Sequence, residues 1–169
     1  MSGKFKEPEW TSLNHHEKYR HLDKVRHDFC SKYQRKLETT NNVYILNGQY
    51  ITDVPSFYLS LGEAINGSRG YFGACLDSLS DCLCGGFGAK PPFTIQIAKS
   101  RNLASCLDEK AWVRVILEHR LTLFKEEDLS VDYLREIGID SPIELTGESY
   151  LDALSQLFAE YDVRFELLR

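Results

Sequence analysis

The sequence predicts an α/β protein built on a small three-stranded parallel sheet packed with helices. Three short apolar segments of strand length alternate with amphipathic helical segments, the order that right-handed crossovers between parallel strands require. The chain has 169 residues, 43% of them hydrophobic, which is enough to bury a core without disulfide bonds or a structural metal. We expect a main domain over 42–169, an N-terminal charged helical extension over 1–41 and a mid-chain insertion at about 99–144.

The N-terminal extension is predicted to form a charged amphipathic helix. It holds four of the five histidines, interleaved with lysine and arginine. A polar cluster at 39–42, typical of a linker, is expected to follow the helix. The apolar residues that recur at helical spacing are Leu22, Val25, Phe29, Tyr33 and Leu37.

The first strand and helix of the main domain have clear boundaries in the sequence. The apolar strand 43–46 is stopped by the turn dipeptide at 47–48. Thr52 or Asp53 is suited to cap the next helix, which has a proline in its first turn. The glycine-rich stretch 67–70 is expected to end that helix.

The remaining elements complete the predicted sheet. A second helix is expected over about 72–84, closed by two glycines. Residues 93–97 alternate as a strand does, 148–160 have helical spacing, and 163–167 form a last strand.

The segment between the second and third strands is ambiguous. Residues 112–117 fit both strand alternation and helical spacing, so both structures stay open there. Further along, Ser130 is a candidate cap for a short helix that Gly138 would end.

Charge and composition exclude several classes of protein. The net charge is −5, but residues 1–40 carry +3 and residues 41–169 carry −8, so the main body should repel nucleic acid and attract a basic partner. No apolar run is long enough to cross a membrane, and residues 1–6 do not resemble a signal peptide. Five cysteines without paired spacing indicate free thiols in the cytoplasm. No metal or other cofactor is expected.

The most informative stretch is 70–86. On a helical wheel Asp77 and Asp81 fall opposite the apolar arc, one turn apart. Such a pair repels itself, and no basic residue is close enough in sequence to compensate it. Only small side chains surround it, so another surface can approach closely. A solvated helix face is the simpler interpretation, and a binding face for a cationic partner is the alternative. Those small residues are Ala74, Ser78 and Ser80.

The order of strand, Asn-Gly turn, helix, Tyr-Phe-Gly and the acidic helix resembles the barstar family, inhibitors of the ribonuclease barnase. The likeness covers roughly 42–98 and 145–169. It implies a barstar-like fold and a 1:1 complex in which this helix plugs a ribonuclease active site, its carboxylates replacing substrate phosphates. By position, Asp81 would be the main anchor and Asp77 the second charge. Tyr71 would pack on the catalytic histidine, while Gly73 and Gly85 would allow close backbone approach.

The sequence also departs from the family pattern. The family has asparagine at Cys75, tryptophan at Ser80 and Gly86, threonine at Cys84 and an acid near Gln156. The expected partner is therefore a basic ribonuclease toxin other than barnase, for which this chain is the non-enzymatic immunity protein. The candidate contact residues are Tyr71, Gly73, Ala74, Asp77, Ser80, Asp81, Cys84 and Gly85.

Two other functions stay open at this point. The same fold can serve as an interaction or regulatory domain that binds a basic protein other than a nuclease. A thiol-dependent enzyme using Cys84 and a histidine is a third candidate, from another class.

Overall fold

A parallel sheet of three strands organises the molecule. The structure, a computed structural model, describes residues 6–32, 38–115 and 148–169. The strands are β1 (Val43–Asn47), β2 (Phe93–Ala98) and β3 (Val163–Leu167). They lie in the order β1-β2-β3, and both pairs are parallel. The predicted α/β class and parallel sheet are confirmed, and each strand boundary agrees with the sequence to within one residue.

Five α-helices have defined bounds in the described part of the chain. Residues 109–115 are also helical, which decides the ambiguity of 112–117 for 112–115. The candidate helix between 130 and 138 lies outside the described residues, as do Tyr33 and Leu37, which the sequence predicts to belong to the first helix. The helices are α1 (His15–Lys32), α2 (Val54–Asn66), α3 (Leu76–Leu83), α4 (Leu103–Cys106) and α5 (Tyr150–Glu160).

The helices bury one face of the sheet. Tyr44 and Leu46 of β1 and Ile95 of β2 are buried, whereas Val43 and Ile45 of β1 point the other way and are exposed. This follows from the two-residue period of a strand. Helix α2 packs on β1, and α5 packs on β3.

Helix α2 begins and ends where its sequence predicts. The Asp53 side chain accepts a hydrogen bond from the Ser56 backbone N–H, and the Ser56 hydroxyl accepts one from the Asp53 N–H. This reciprocal capping box satisfies two backbone donors of the first turn. At the other end Gly67 adopts φ +79°, a conformation that favours glycine.

Helix α1 belongs to the hydrophobic core. Leu22 and Val25 of α1 are buried with Trp10, which precedes the helix, and α1 packs against α2. Residues 6–32 therefore contribute apolar surface to the core that the main domain forms.

A buried ion pair also joins α1 to α2. The Lys18 ammonium lies 3.1 Å from the Asp53 carboxylate and donates to the Thr52 hydroxyl at 2.7 Å. His15 Nδ1 lies 3.3 Å from the same carboxylate. Burial raises the pKa of the Asp53 carboxyl, but hydrogen bonds with His15, Ser56 and Lys18 outweigh it and hold that pKa well below its usual value. The negative charge of Asp53 is thus part of the contact between the two helices.

Helix α3 is shorter than the sequence predicted. The predicted helix started near Phe72, but the observed one starts at Leu76. Gly73 has φ +96°, and Cys75 is an extended N-cap residue. A positive φ is incompatible with a right-handed helix, so residues 72–75 form a loop that enters α3. At the other end Gly85, with φ +112°, follows the helix as predicted.

The segment after β2 begins with short helical turns. Leu103, the first residue of α4, and Leu107, which directly follows that helix, are buried in the core. The Leu107 carbonyl accepts a hydrogen bond from the Leu151 N–H at 2.9 Å, which ties this segment to the start of α5. The start of α5 therefore lies at the carboxyl edge of the sheet, where β2 ends.

Candidate functional site

Two carboxylates stand on the outer face of α3. Asp77 and Asp81 are both exposed and one helical turn apart. In residues 6–32, 38–115 and 148–169, neither forms an ion pair. The helix has no basic residue in its last turn. The charges that the sequence left uncompensated are therefore also uncompensated by the described parts of the fold.

The opposite side of α3 is docked on the core. Leu79, Cys82 and Leu83 are buried. Burial raises the pKa of the Cys82 thiol to about 12, so this cysteine is a neutral core residue rather than a nucleophile. Burial on one side and charge on the other fix the orientation in which Asp77 and Asp81 face outward.

The start of α3 is held by Ser78. Its hydroxyl accepts hydrogen bonds from the backbone N–H groups of Ala74 (2.8 Å) and Cys75 (3.0 Å). These donors would otherwise be unpaired at the helix start. Ala74, a predicted contact residue, is partly buried in this entry loop.

Ser80 and Cys84 are held by a residue that sequence reasoning missed. The hydroxyl of Tyr161 forms a short hydrogen bond with the Ser80 hydroxyl and accepts one from the Cys84 thiol at 3.9 Å. Tyr161 lies 81 positions after Ser80, in the turn between α5 and β3. No local sequence pattern signals a contact of that separation.

The hydrogen bond of Cys84 weakens the enzyme interpretation. A cysteine nucleophile needs an adjacent base, usually histidine, whereas this thiol donates to a tyrosine hydroxyl.

The structure does not support Tyr71 as an exposed contact. Its side chain is only 3% exposed, and its ring centre lies 6.2 Å from that of Phe29 and 6.3 Å from that of Phe87. Burial raises the pKa of the Tyr71 hydroxyl to about 12. Tyr71, which the resemblance would place on a partner's histidine, is thus buried within the chain, and Phe29 of α1 takes part in covering its ring.

At both candidate glycines, Gly73 and Gly85, another part of the same chain approaches the backbone closely. A Cβ at Gly73 would lie 3.0 Å from Leu79 Cα, so this buried glycine allows the entry loop to approach its own helix closely. Gly85 is partly buried, and its missing Cβ would lie 3.2 Å from a carboxylate oxygen of Glu38. The same carboxylate accepts a short hydrogen bond from the Gly86 N–H. Glu38 thus brings a third carboxylate to the end of α3.

The outer face of α3, which carries Asp77 and Asp81, ends at the amino edge of the sheet. The Thr39 N–H donates to the Gly88 carbonyl at 3.2 Å, and the Lys90 N–H donates to the Thr39 carbonyl at 3.0 Å. Residues before β1 and before β2 therefore run side by side next to the end of α3. Tyr161, just before β3, joins them.

A separate cleft of about 270 Å³ lies at the start of α2, lined by His15, Asp53, Cys106, Lys110 and Arg114 among others. His15 and Asp53 already contact each other. Burial raises the pKa of the Cys106 thiol, so that thiol is protonated at neutral pH. The cleft does not present an activated nucleophile.

The described residues show neither a metal-binding cluster nor a membrane-spanning helix. There, no three histidine, cysteine or carboxylate side chains are grouped in a way that would hold a metal ion. None of the helices described is both long and apolar enough to span a bilayer.

Comparison with known proteins identifies the family. The family model for barstar, the barnase inhibitor, matches residues 41–129, a range that includes β1, α2, α3 and β2. No curated protein matches the chain, and no solved structure matches it. The matched range is more than half of the chain and contains both exposed carboxylates. The chain belongs to the barstar family.

Proposed function

We propose that this chain is an immunity protein that inhibits a cognate ribonuclease toxin by occupying the active site of the toxin in a 1:1 complex. The carboxylates of Asp77 and Asp81 take the place of substrate phosphates. The observation that carries the proposal is their exposure on α3 without an ion-pair partner in the described part of the chain. The family supplies the kind of partner, since its description is that of a barnase inhibitor.

The physical basis is charge replacement in a cleft built for RNA. A ribonuclease binds phosphates with arginine, lysine and histidine side chains, and a carboxylate can accept the same hydrogen bonds. Bonds between guanidinium and carboxylate groups are short, often bidentate and about twice as strong as neutral ones. A helix that presents two carboxylates one turn apart satisfies two such subsites without being a substrate.

An inhibitor of a ribonuclease toxin must be present in the compartment that contains the cellular RNA. Five free cysteines, three of them exposed, suit a reducing compartment. We therefore place the immunity function in the cytoplasm, as protection against a toxin delivered by a neighbouring cell.

The decisive experiment compares Asp81→Ala with Glu148→Ala. The binding assay uses a panel of purified ribonucleases, barnase among them, together with the product of the gene adjoining the one that encodes this chain. Cleavage of a fluorescent RNA measures inhibition. Loss of Asp81 leaves the partner's cations buried and unpaired, so we expect a penalty of about 3 kcal/mol. Glu148 precedes α5, whose start lies at the carboxyl edge of the sheet, so Glu148→Ala should bind normally.

The outcomes separate the candidate functions. Inhibition that Asp81→Ala abolishes and Glu148→Ala retains supports the proposal. Equal losses from both substitutions, or no binding to any ribonuclease in the panel, contradict it. Tight binding that leaves RNA cleavage intact would instead indicate an interaction domain for another basic protein.

A further inference from the structure

The strongest unassigned feature beside the α3 face is Tyr161. Asp77, Ser80, Asp81 and Cys84 are spaced i, i+3, i+4 and i+7, which places them on one stripe of the helix. Tyr161 contacts the second and fourth of these residues. Its side chain therefore lies along the same stripe as the two carboxylates, although it comes from the turn after α5.

The hydroxyl of Tyr161 is already engaged within the chain, but part of its side chain remains exposed. The two α3 partners hold the phenol oxygen, and one part of the ring packs on the core while the residue stays partly exposed. A side chain fixed in this way loses little conformational entropy when a partner covers it. Tyrosine anchored through its hydroxyl is a rigid, amphipathic contact surface, a type enriched in binding hot spots.

The neighbouring charges indicate the chemistry of the partner group. Glu160 and Asp162 flank Tyr161 and are both exposed, and the stripe beside it carries Asp77 and Asp81. A guanidinium suits this setting, because it can stack on the ring while its N–H groups reach a carboxylate. Tyr71 cannot take this role, since it is buried beside Phe29.

We propose that Tyr161 is a contact residue of the α3 face that selects ribonucleases presenting an arginine beside the one bound by Asp81. This inference rests on the proposed function. It extends the binding face from α3 to the turn between α5 and β3, outside residues 41–129 that match the family model.

The test uses the full chain and the ribonuclease that wild type binds most tightly in the panel described above. Tyr161→Ala removes the ring, Tyr161→Leu keeps apolar packing without an aromatic face, and Tyr161→Phe keeps the ring. Asp81→Ala tests whether the outer face of α3 binds the ribonuclease at all. Tyr50→Ala is the matched control, because Tyr50 is also partly buried but follows β1 at the opposite edge of the sheet. Thermal melting verifies that each variant is folded at the assay temperature.

We expect Tyr161→Ala and Tyr161→Leu to weaken Kd by at least about tenfold. Tyr161→Phe should weaken it less, because the ring stays but loses the hydroxyl contacts that fix it, and Tyr50→Ala should stay near wild type. Wild-type affinity in Tyr161→Leu would show that Tyr161 only supports α3 by packing, and would overturn the inference. Equal losses in Tyr161→Phe and Tyr161→Ala would overturn it too, because the aromatic ring that Tyr161→Phe retains would then contribute nothing to binding. If Asp81→Ala weakens binding and every Tyr161 variant binds normally, this inference fails while the proposed function stands. If Asp81→Ala also binds normally, both fail.

Discussion

At the scale of single residues, Asp53 has two functions that can be separated. It caps α2 through the Ser56 N–H, and it neutralises the buried Lys18 ammonium. Asparagine is about as good an N-cap residue as aspartate, so Asp53→Asn removes the charge and keeps the cap. The lysine would then be buried without its counter-charge, a situation that costs about 3 kcal/mol in folded proteins.

We expect this loss to depend on pH. The folded pKa of Asp53 is lowered, so its charge stabilises the fold above the unfolded pKa of about 3.9, and that stability is lost as pH falls through the folded pKa. Urea unfolding should show Asp53→Asn clearly less stable than wild type at pH 7, with a difference that shrinks below about pH 4. Asp23→Asn is the control, because the pair of Asp23 with Arg26 is exposed and worth little. A constant difference across pH would contradict the role of the charge.

Residue-scale features also explain where prediction from sequence fails. Tyr71 looked like a surface contact because its neighbours 70–81 fit a binding motif. Its burial depends on Phe29, 42 positions earlier in α1. Likewise, Tyr161 is placed at the site by a hydroxyl contact across 81 positions. Local patterns cannot encode such pairings, because they arise only when separate elements pack.

At the scale of elements, the predictions that depend on local chemistry hold. Strands β1, β2 and β3 were found within one residue because apolar alternation and turn residues mark them. The start of α3 was misplaced by four residues, since the helical spacing of Phe72 with Leu76 hid the positive φ of Gly73. The Ser78 cap also went unrecognised, because a helix that begins near 72 places Ser78 in its interior rather than in its first turn.

That cap gives an element-scale prediction. Ser78→Ala removes the acceptor for the Ala74 and Cys75 N–H groups, and losing a capping side chain costs about 1 kcal/mol. We expect lower stability together with faster hydrogen exchange at those two amides. Ser155→Ala is the control, because the exposed Ser155 hydroxyl only donates to the Leu151 carbonyl within α5. Similar exchange rates in wild type and Ser78→Ala would show that the entry loop is held by other contacts.

At the scale of the whole molecule, the proposed binding face has an unusual position. Ligands of open parallel α/β sheets usually bind at the carboxyl edge of the strands. Here the acidic face, Glu38 and Tyr161 gather at the amino edge, where chain segments enter the strands. A protein partner can bind an exposed, rigid surface and does not need a crevice. One side of α3, together with the segments that precede the three strands, can form such a surface.

The negative net charge of residues 41–169 predicts that association with a basic partner depends on salt. Residues 41–169 carry −8, and a basic ribonuclease would be attracted over distances that salt screens. We expect the association rate, measured by stopped-flow fluorescence, to fall steeply between about 0.05 and 0.5 M salt while dissociation changes little. Asp81→Ala should show a shallower dependence. An association rate that does not respond to salt would contradict a charge-steered encounter.

The packing of α1 has a practical consequence for anyone preparing shortened versions of this protein. Trimming to residue 41, where the family match begins, would remove Trp10, Lys18, Leu22 and Val25, all buried. The trimmed product would expose apolar surface and leave Asp53 without its ion-pair partner Lys18. It would also lose Phe29, which helps to cover the ring of Tyr71. Any weaker binding by the trimmed product would then reflect partial unfolding, so the proposed inhibition is best measured with the first helix retained.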